Sequence, residues 1–402
     1  MASLSKPSSN APSRAFDVII AGAGPAGTSA AIHISKKGGR VLLIEAKKFP
    51  RPKLCGEFIS PECIEHFQRL GVMDQMSSAG GVSITRTVFY ARKGQNVEVP
   101  SEWFDSGASA IGLSRSEMDH KLLEGARSAG VTVLEETHAS GLIREPGRVN
   151  GLRAKTGQTI HEYEAPITID ATGRAGALSR YLGQTITHRV TKTRRSLVGF
   201  KAHLENARPA NGACEIYCYP RGYGGLSSVE GGLSNLCFIV SAADVRSHNS
   251  DPELVMREIV MKNSRAAATL DQARSCTPWL SVSLDGFGRR MPAPAPGLLT
   301  IGDAASFIDP FTGSGMLMAL ESGEVVAQII NRHLASIRKG QSITSLSLEY
   351  EAEYSKRFDS RLRIAGFLRR AAFVPGLAEA AIVLCGASSH FRRRLARATR
   401  HS

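Results

Sequence analysis

The sequence predicts an α/β chain, α+β overall, in which a discontinuous βαβ-type domain is interrupted by a β-rich insertion and closed by C-terminal helices. Three observations carry this reading. A strand, glycine turn, helix and second strand occupy residues 16–46; short β-like runs fill 186–284; and long helical patterns close the chain after residue 330. With 402 residues the chain has room for two to three domain-sized units, and 42% hydrophobic residues are enough to fill their cores.

The first fifteen residues, MASLSKPSSNAPSRA, are Ser/Pro-rich and lack an apolar stretch, so a disordered leader is expected over 1–15 rather than a signal peptide. The opening unit follows. In FDVIIAGAGPAGTSAAIHISKKGGRVLLIEA, Val18–Ile20 form the first strand, a helix starts at Pro25, and Val41–Ile44 form a second strand ending at Glu45. Gly22 allows a tight turn, Gly24 admits a diphosphate to the backbone, and Gly27 lets helix and strand pack closely; the helix N-terminus then presents N–H groups to the anion. Glu45 is placed to accept from a ribose hydroxyl. This Rossmann-like unit binds a dinucleotide but does not separate FAD from NAD(P).

Two later stretches choose FAD. APITIDATGRAG (165–176) is an apolar strand running into Ala171-Thr172-Gly173. The second, 297–330, is a strand, then Gly302-Asp303, a Pro/Gly loop and a long helix. Asp303 is placed to receive a ribityl hydroxyl. Gly313 and Gly315 are expected to free backbone N–H groups at a helix start, facing the electron-rich pyrimidine edge of a reduced flavin. Ala26, Pro310 and Met316 flank these turns and complete the expected cofactor set. A nicotinamide site needs no such distant second half.

In this order the three elements resemble the FAD-binding pattern of para-hydroxybenzoate hydroxylase-type aromatic hydroxylases, geranylgeranyl reductases and flavin-dependent halogenases, over roughly residues 16–330. The resemblance implies a para-hydroxybenzoate hydroxylase-type FAD domain in three pieces (16–75, 105–185 and 285–330). It implies a substrate domain from 76–104 and 186–284, and leaves 331–402 as a helical region. GLSRSEMDHKLLEGARSAG resembles the helix that brings an arginine to the cofactor, which selects Arg115, with Ser114 as its N-cap; the alternative is a surface cation at a helix start. There is no second GxGxxG unit, so NAD(P)H or another reductant would deliver electrons without a dinucleotide domain of its own.

RPKLCGEFISPE (51–62) resembles the geranylgeranyl reductase branch, where Cys-Gly-Glu follows a basic run. The resemblance places Cys55 and Gly56 beside the flavin with Glu57 close by, and makes Cys55 and Glu57 the catalytic candidates. A thiol there serves as proton donor if its pKa lies near neutrality, and Lys53 and a nearby helix N-terminus are expected to lower it. The alternative is a small apolar filler. Ser60-Pro61-Glu62 reads as N-cap, N1 and first-turn acid of the next helix.

Within the insertion, SLVGFKAHL, CEIYCYP, GYGGLSSVEGG and LSNLCFIVS alternate as strands, and DPELVMREIVMKN reads as a capped amphipathic helix. Halogenases carry WxWxIP here; GYGGLSSVE has no tryptophan, and GGVSITRTVFYA has Arg86 but no lysine to position hypohalous acid, so halogenation is disfavoured. Tyr223-Gly224-Gly225-Leu226 also departs from the YxWxFP-like motif of the reductases. Its small residues either open a pocket for a bulkier ring or make a tight hairpin. Two reactions remain. Reduced FAD delivers hydride to a C=C bond of a hydrophobic small molecule, or reduced FAD and O2 hydroxylate an aromatic or polyketide-like substrate. Cys-Gly-Glu favours the first; a non-enzymatic flavoprotein is the weakest reading.

Seven cysteines, an odd number at irregular spacing, form no disulfide framework, and Cys214 and Cys218 lack partners at metal-ligand spacing. No metal site is expected. The net charge of +14 is uneven: residues 331–402 hold 14 Lys/Arg against 5 Asp/Glu. No nucleic-acid-binding motif accompanies it. The C-terminal helices, separated near Pro375, are expected to pack on the substrate domain with arginines outward; the alternative is a surface meeting anionic lipid. GLAEAAIVLCGA is too short to span a bilayer, so the expected location is cytoplasmic, with peripheral membrane contact at most.

Overall fold

The structure, a computed structural model, describes residues 16–104, 108–183, 196–341, 343–372 and 376–398; the leader expected over 1–15 lies outside them. At its centre is a five-stranded parallel sheet in the order Leu298–Thr300, Ile167–Asp170, Val18–Ala21, Val41–Ile44, Thr132–Leu134. The segments VIIA and VLLI are apolar without alternation because both faces of these inner strands are covered, and every residue in them is buried. Gly22 turns the chain at φ +107°, where a Cβ would stand 2.3 Å from the Ala171 carbonyl oxygen. The helix Pro25–Ser35 then starts with proline in its first turn. Gly27 brings this helix onto the turn so closely that a Cβ would lie 1.9 Å from the Gly22 oxygen.

The long helix Gly315–Arg338 lies against Pro25–Ser35, and the Ser29 hydroxyl donates to the Leu320 carbonyl across the contact at 2.9 Å. A three-stranded meander (Thr137–Glu145, Arg148–Thr156, Thr159–Glu164) covers the other side. A large sheet is built mainly from the insertion. Its order is Arg274–Ser275, Leu197–Glu205, Ser234–Ser241, Gly222–Ser228, Ala213–Tyr219, Arg86–Tyr90, Asn96–Pro100, with Leu280–Leu284 also paired to Leu197–Glu205. Part of 76–104 therefore joins this sheet, but Val82–Ile84 does not. It pairs with Ala110–Gly112, which also pairs with Phe58–Ile59, in a small sheet that ties the 55–57 loop to the chain leading into Arg115.

One face of the large sheet is a core of Phe200, Leu236, Phe238 and Val240 under short helices. One of these, Pro252–Glu258, is capped by Asp251, whose carboxylate accepts from the Glu253 and Leu254 amides; the chain then tightens into a 3-10 turn, so the helix is shorter than its pattern. The helix after the 55–57 loop also departs from expectation. It runs Glu62–Leu70 with Pro61 at its cap; Ser60 accepts the Cys63 amide through its carbonyl, and its hydroxyl sits 3.6 Å from the Cys63 sulfur instead of capping.

The C-terminal helices divide. Thr344–Ala372 packs on the parallel-sheet unit rather than on the insertion, through Tyr350, Tyr354 and Phe358. The Tyr350 hydroxyl donates to the Thr300 carbonyl at 2.7 Å, and Arg361 faces inward to Glu321, also at 2.7 Å. That arginine is thus not outward, because a buried carboxylate waits for it. Leu377–Ala387 does pack on the insertion, with Ile382 and Cys385 against Val97 and Cys218. Among the described residues, no helix is long and apolar enough to cross a membrane.

Gly27→Ala should therefore force the helix off the turn. We expect a destabilisation of about 1–3 kcal/mol, read as a lower Tm on thermal unfolding; an unchanged Tm would mean that the contact has slack.

Candidate functional site

The ends of the parallel strands open into one continuous cavity of about 740 Å³ that reaches the large sheet. Gly22, Gly24, Ala26 and Glu45 line it, as do Cys55, Gly56, Glu57 and Arg115. So do Asp303, Pro310, Gly313, Gly315 and Met316. Of the expected residues only Gly27 is not on the wall; it lies beneath, in the packing contact already described.

The cradle is built from backbone. No acidic residue sits in the first turn of Pro25–Ser35, so its positive end faces the cavity uncompensated. Glu45 is held at the rim by the Ala23 amide (2.9 Å) and the Lys47 amide (3.0 Å), one on each carboxylate oxygen, which leaves lone pairs for a ligand hydroxyl. Asp303 has no hydrogen bond among the described residues, and burial raises its pKa even though Arg115, Lys53, Arg174 and Arg290 pull the other way. A half-buried carboxyl that faces the cavity without a hydrogen-bond partner among the described residues fits a ligand hydroxyl.

The two glycines of the second turn behave differently from each other. The Gly313 amide donates to the Pro310 carbonyl at 2.9 Å, closing a 3-10 turn at φ +61°, so its N–H is not free as expected. The helix proper begins at Gly315, and the amides of Gly315 and Met316 precede its first intrahelical donor, the Met318 amide, which bonds the Ser314 carbonyl. These features together suit FAD: a helix end for the diphosphate, an acid at each sugar-like chain, and a helix start for the ring.

The 55–57 loop is pinned from three directions. Glu57, fully buried and at φ +54°, accepts from the Lys201 ammonium (2.9 Å) and the Arg115 amide (2.9 Å) on Oε1, and pairs with His203 Nε2 (2.6 Å) on Oε2. Burial alone would raise its pKa; the His203 hydrogen bond and the Lys201 charge outweigh it, and Glu57 ends below the usual glutamate value. Its oxygens are engaged, so it holds position and is a poor proton donor. The large sheet grips the loop's carbonyls, Ser227 Oγ on Gly56 at 3.3 Å and Asn235 Nδ2 on Cys55 at 3.0 Å.

Cys55 departs from the acidic thiol expected. Burial pushes its pKa up and outweighs the nearby Arg115 guanidinium, which pulls the other way while also making two short bonds to Asp119 (2.8 and 2.7 Å). The thiol is neutral and keeps its proton. Arg115 is itself buried, not a surface cation, and Ser114 caps its helix by accepting the Glu117 amide at 3.1 Å.

Sequence reasoning missed the opposite wall. Cys214, Ile216 and Cys218 alternate along one strand, Tyr223 and Gly225 along the next, and Cys237 and Ile239 along a third, all toward the cavity. The signal was the period of two. Burial pushes Cys214 up to about 12 and raises Cys237 as well, so these thiols are neutral, polarisable lining. Both readings of the 223–226 segment hold in part: Gly225 faces the cavity, whereas a Cβ at Gly222 would stand 2.2 Å from the Ile239 oxygen at the hairpin end.

Comparison with known proteins adds identity to this geometry. The profile of the family described as FAD binding domain matches residues 15–363. Menaquinone reductase of Mycolicibacterium smegmatis is 27% identical over 335 residues, 78% of this chain and 76% of that protein. Digeranylgeranylglycerophospholipid reductase of Methanosarcina mazei is 28% identical over 322 residues, 78% of this chain and 74% of that protein. Among solved structures, a geranylgeranyl bacteriochlorophyll reductase-like protein of Thermoplasma acidophilum superposes with a TM-score of 0.75 at 22% identity, covering 90% of each chain. A flavin-dependent brominase superposes at 0.79 with 21% identity, covering 96% of this chain and 94% of its own. At those identities the structures share the fold.

Lys201→Met should leave the Glu57 carboxylate buried with a missing cation and cost about 3–5 kcal/mol in urea unfolding; a loss under about 1 kcal/mol would show the pair to be solvent-relaxed. The pH dependence has a definite sign. Glu57 titrates lower folded than its ordinary value of 4.5, so the folded state binds fewer protons there. Its contribution is full above that value and is lost as pH falls through the lower folded one. The stability gap between wild type and Glu57→Gln should therefore narrow on acidification below about 4.5; a gap constant from neutral to strongly acidic pH would contradict it.

Proposed function

The chain belongs to the FAD binding domain family, and on that premise we propose that this FAD-dependent oxidoreductase reduces a C=C bond of a hydrophobic small molecule, with NAD(P)H or another reductant as electron donor. The observation that carries the reading is the seam at residues 55–57. There a polar cradle and an apolar, thiol-lined sheet face line the same cavity, which gives cofactor and apolar ligand adjoining places. The relatives named as reductases support the reductive direction.

Bound and reduced, FAD supplies the hydride. The chain's residues do the rest. The Gly22–Ala26 turn and its helix end would hold the diphosphate, Glu45 and Asp303 would take the ribose and ribityl hydroxyls, and the Gly315 and Met316 amides would serve the pyrimidine edge. Cys55 keeps a proton on its sulfur beside the expected ring position; although burial makes it a weak acid, the adjacent Arg115 guanidinium would steady the thiolate left when that proton passes to the carbon next to the one that receives hydride. Glu57 fixes the loop that carries it.

Two measurements test this. With FAD bound, Cys55→Ala and Cys55→Ser should slow turnover about a hundredfold while the flavin absorbance stays; equal turnover removes Cys55 from the chemistry. Anaerobically reduced protein mixed with menaquinone or a geranylgeranyl lipid should be reoxidised with a product two hydrogens heavier. No anaerobic reoxidation, and on admitting air an oxygen-containing product with one O2 consumed per turnover, would replace reduction by hydroxylation.

A further inference from the structure

The cavity is charged at one end only, with a single exception. Every charged residue on its wall lies between 45 and 57, at 115 or at 303, except Arg392. Arg392 comes from the helix Ser389–Ala398, next to the corner where Ile382 and Cys385 meet Val97 and Cys218. Its guanidinium lies over the Trp103 ring, 5.5 Å from the centroid, and donates through Nη1 to the Cys385 carbonyl at 3.3 Å. Its Nε is buried with no partner, and among the described residues no carboxylate pairs with it. A cation held by an aromatic face and one carbonyl, with a buried N–H unspent, is an incomplete hydrogen-bond set. The cluster beside it, Val97, Cys218, Ile382 and Phe89, is apolar or thiol and cannot complete that set.

We propose that Arg392 is an anion subsite: it receives the carboxylate or phosphate end of a ligand whose remainder is apolar and lies along the thiol-lined sheet. The subsite rests on reading this cavity as the substrate's. The chemistry that completes it is a planar or tetrahedral oxyanion that accepts from the terminal guanidinium nitrogens, above all Nη2, which makes no hydrogen bond among the described residues. A neutral apolar ligand would fill the same volume and leave Nη2 without an acceptor.

The test uses the full chain loaded with FAD and three probes of equal chain length, decyl phosphate, decanoate and decanol, titrated calorimetrically below their micelle concentrations. At least one anion should bind about ten- to a hundredfold more tightly than the alcohol, as expected for hydrogen bonds to a charged group. Whichever anion shows the preference identifies the head group. In Arg392→Gln the ratio of anion to alcohol affinity should fall to about one, and in Arg392→Lys it should be partly kept. Equal affinity of all three probes for the wild type overturns the proposal. So does a ratio unchanged in Arg392→Gln with all affinities lowered in parallel, which is what a purely structural latch on Trp103 would produce. Flavin absorbance is recorded throughout: a chain that holds no FAD fails the proposed function, whereas a flavin-loaded chain without anion preference fails this subsite alone.

Discussion

A buried glutamate decides how the two halves of this molecule meet. Glu57 lies at the end of a loop from the parallel-sheet unit, yet two of its partners, Lys201 and His203, stand on a strand of the large sheet, and the third is the first amide of the Arg115 helix. Removing any one partner leaves charge or an acceptor unsatisfied in a place water does not reach. The loop therefore has one position, and Cys55 inherits it. The left-handed backbone at Glu57, unusual for a residue with a side chain, is tolerated because so many contacts determine it.

The cavity walls divide the chemical work by their polarity. On the cradle side, backbone amides, acids and cations are fixed before any ligand arrives. On the sheet side, residues of alternating strands offer sulfur and hydrocarbon, and burial holds the Cys55, Cys214 and Cys237 thiols in their neutral form. A neutral sulfur wall neither competes for the cofactor's charge nor draws in water, which is the environment hydride transfer requires.

Much of the cradle was legible because its chemistry is local. From Val18 to Glu45, strand, turn, helix and acid follow within thirty residues, and each residue's role comes from backbone geometry that the residue type announces. Asp303 was legible for the same reason. Gly313 was misread because a glycine in a turn either exposes its amide or closes the turn with it, and only the Pro310 carbonyl's position distinguishes the two. The acidity expected of Cys55 failed because burial, which residue types along the chain do not announce, outweighs the cation beside it, Arg115. Lys201 and His203 were invisible as partners of Glu57, being more than 140 residues away on an otherwise ordinary strand. The C-terminal helices read as helices, but which surface each one covers depends on buried acids such as Glu321 that no helical pattern reveals.

The parallel sheet draws its strands from residues 18, 41, 132, 167 and 298. A nascent chain leaving the ribosome holds its glycine turn and Glu45 almost at once, but lacks the edge strand and Asp303 until three quarters of it has been made. The insertion's strands pair mostly with sequence neighbours and are complete at residue 284, although the helix Leu377–Ala387 and Arg392 join that side only at the end. Order of synthesis thus runs from the insertion's sheet to the parallel sheet and then to the helices that finish the cavity, so the parallel sheet is closed late, across the longest loops in the chain. Cofactor capture belongs to the end of biosynthesis, and until then the half-built cradle is exposed apolar edge, the state in which such a protein is most at risk of aggregation.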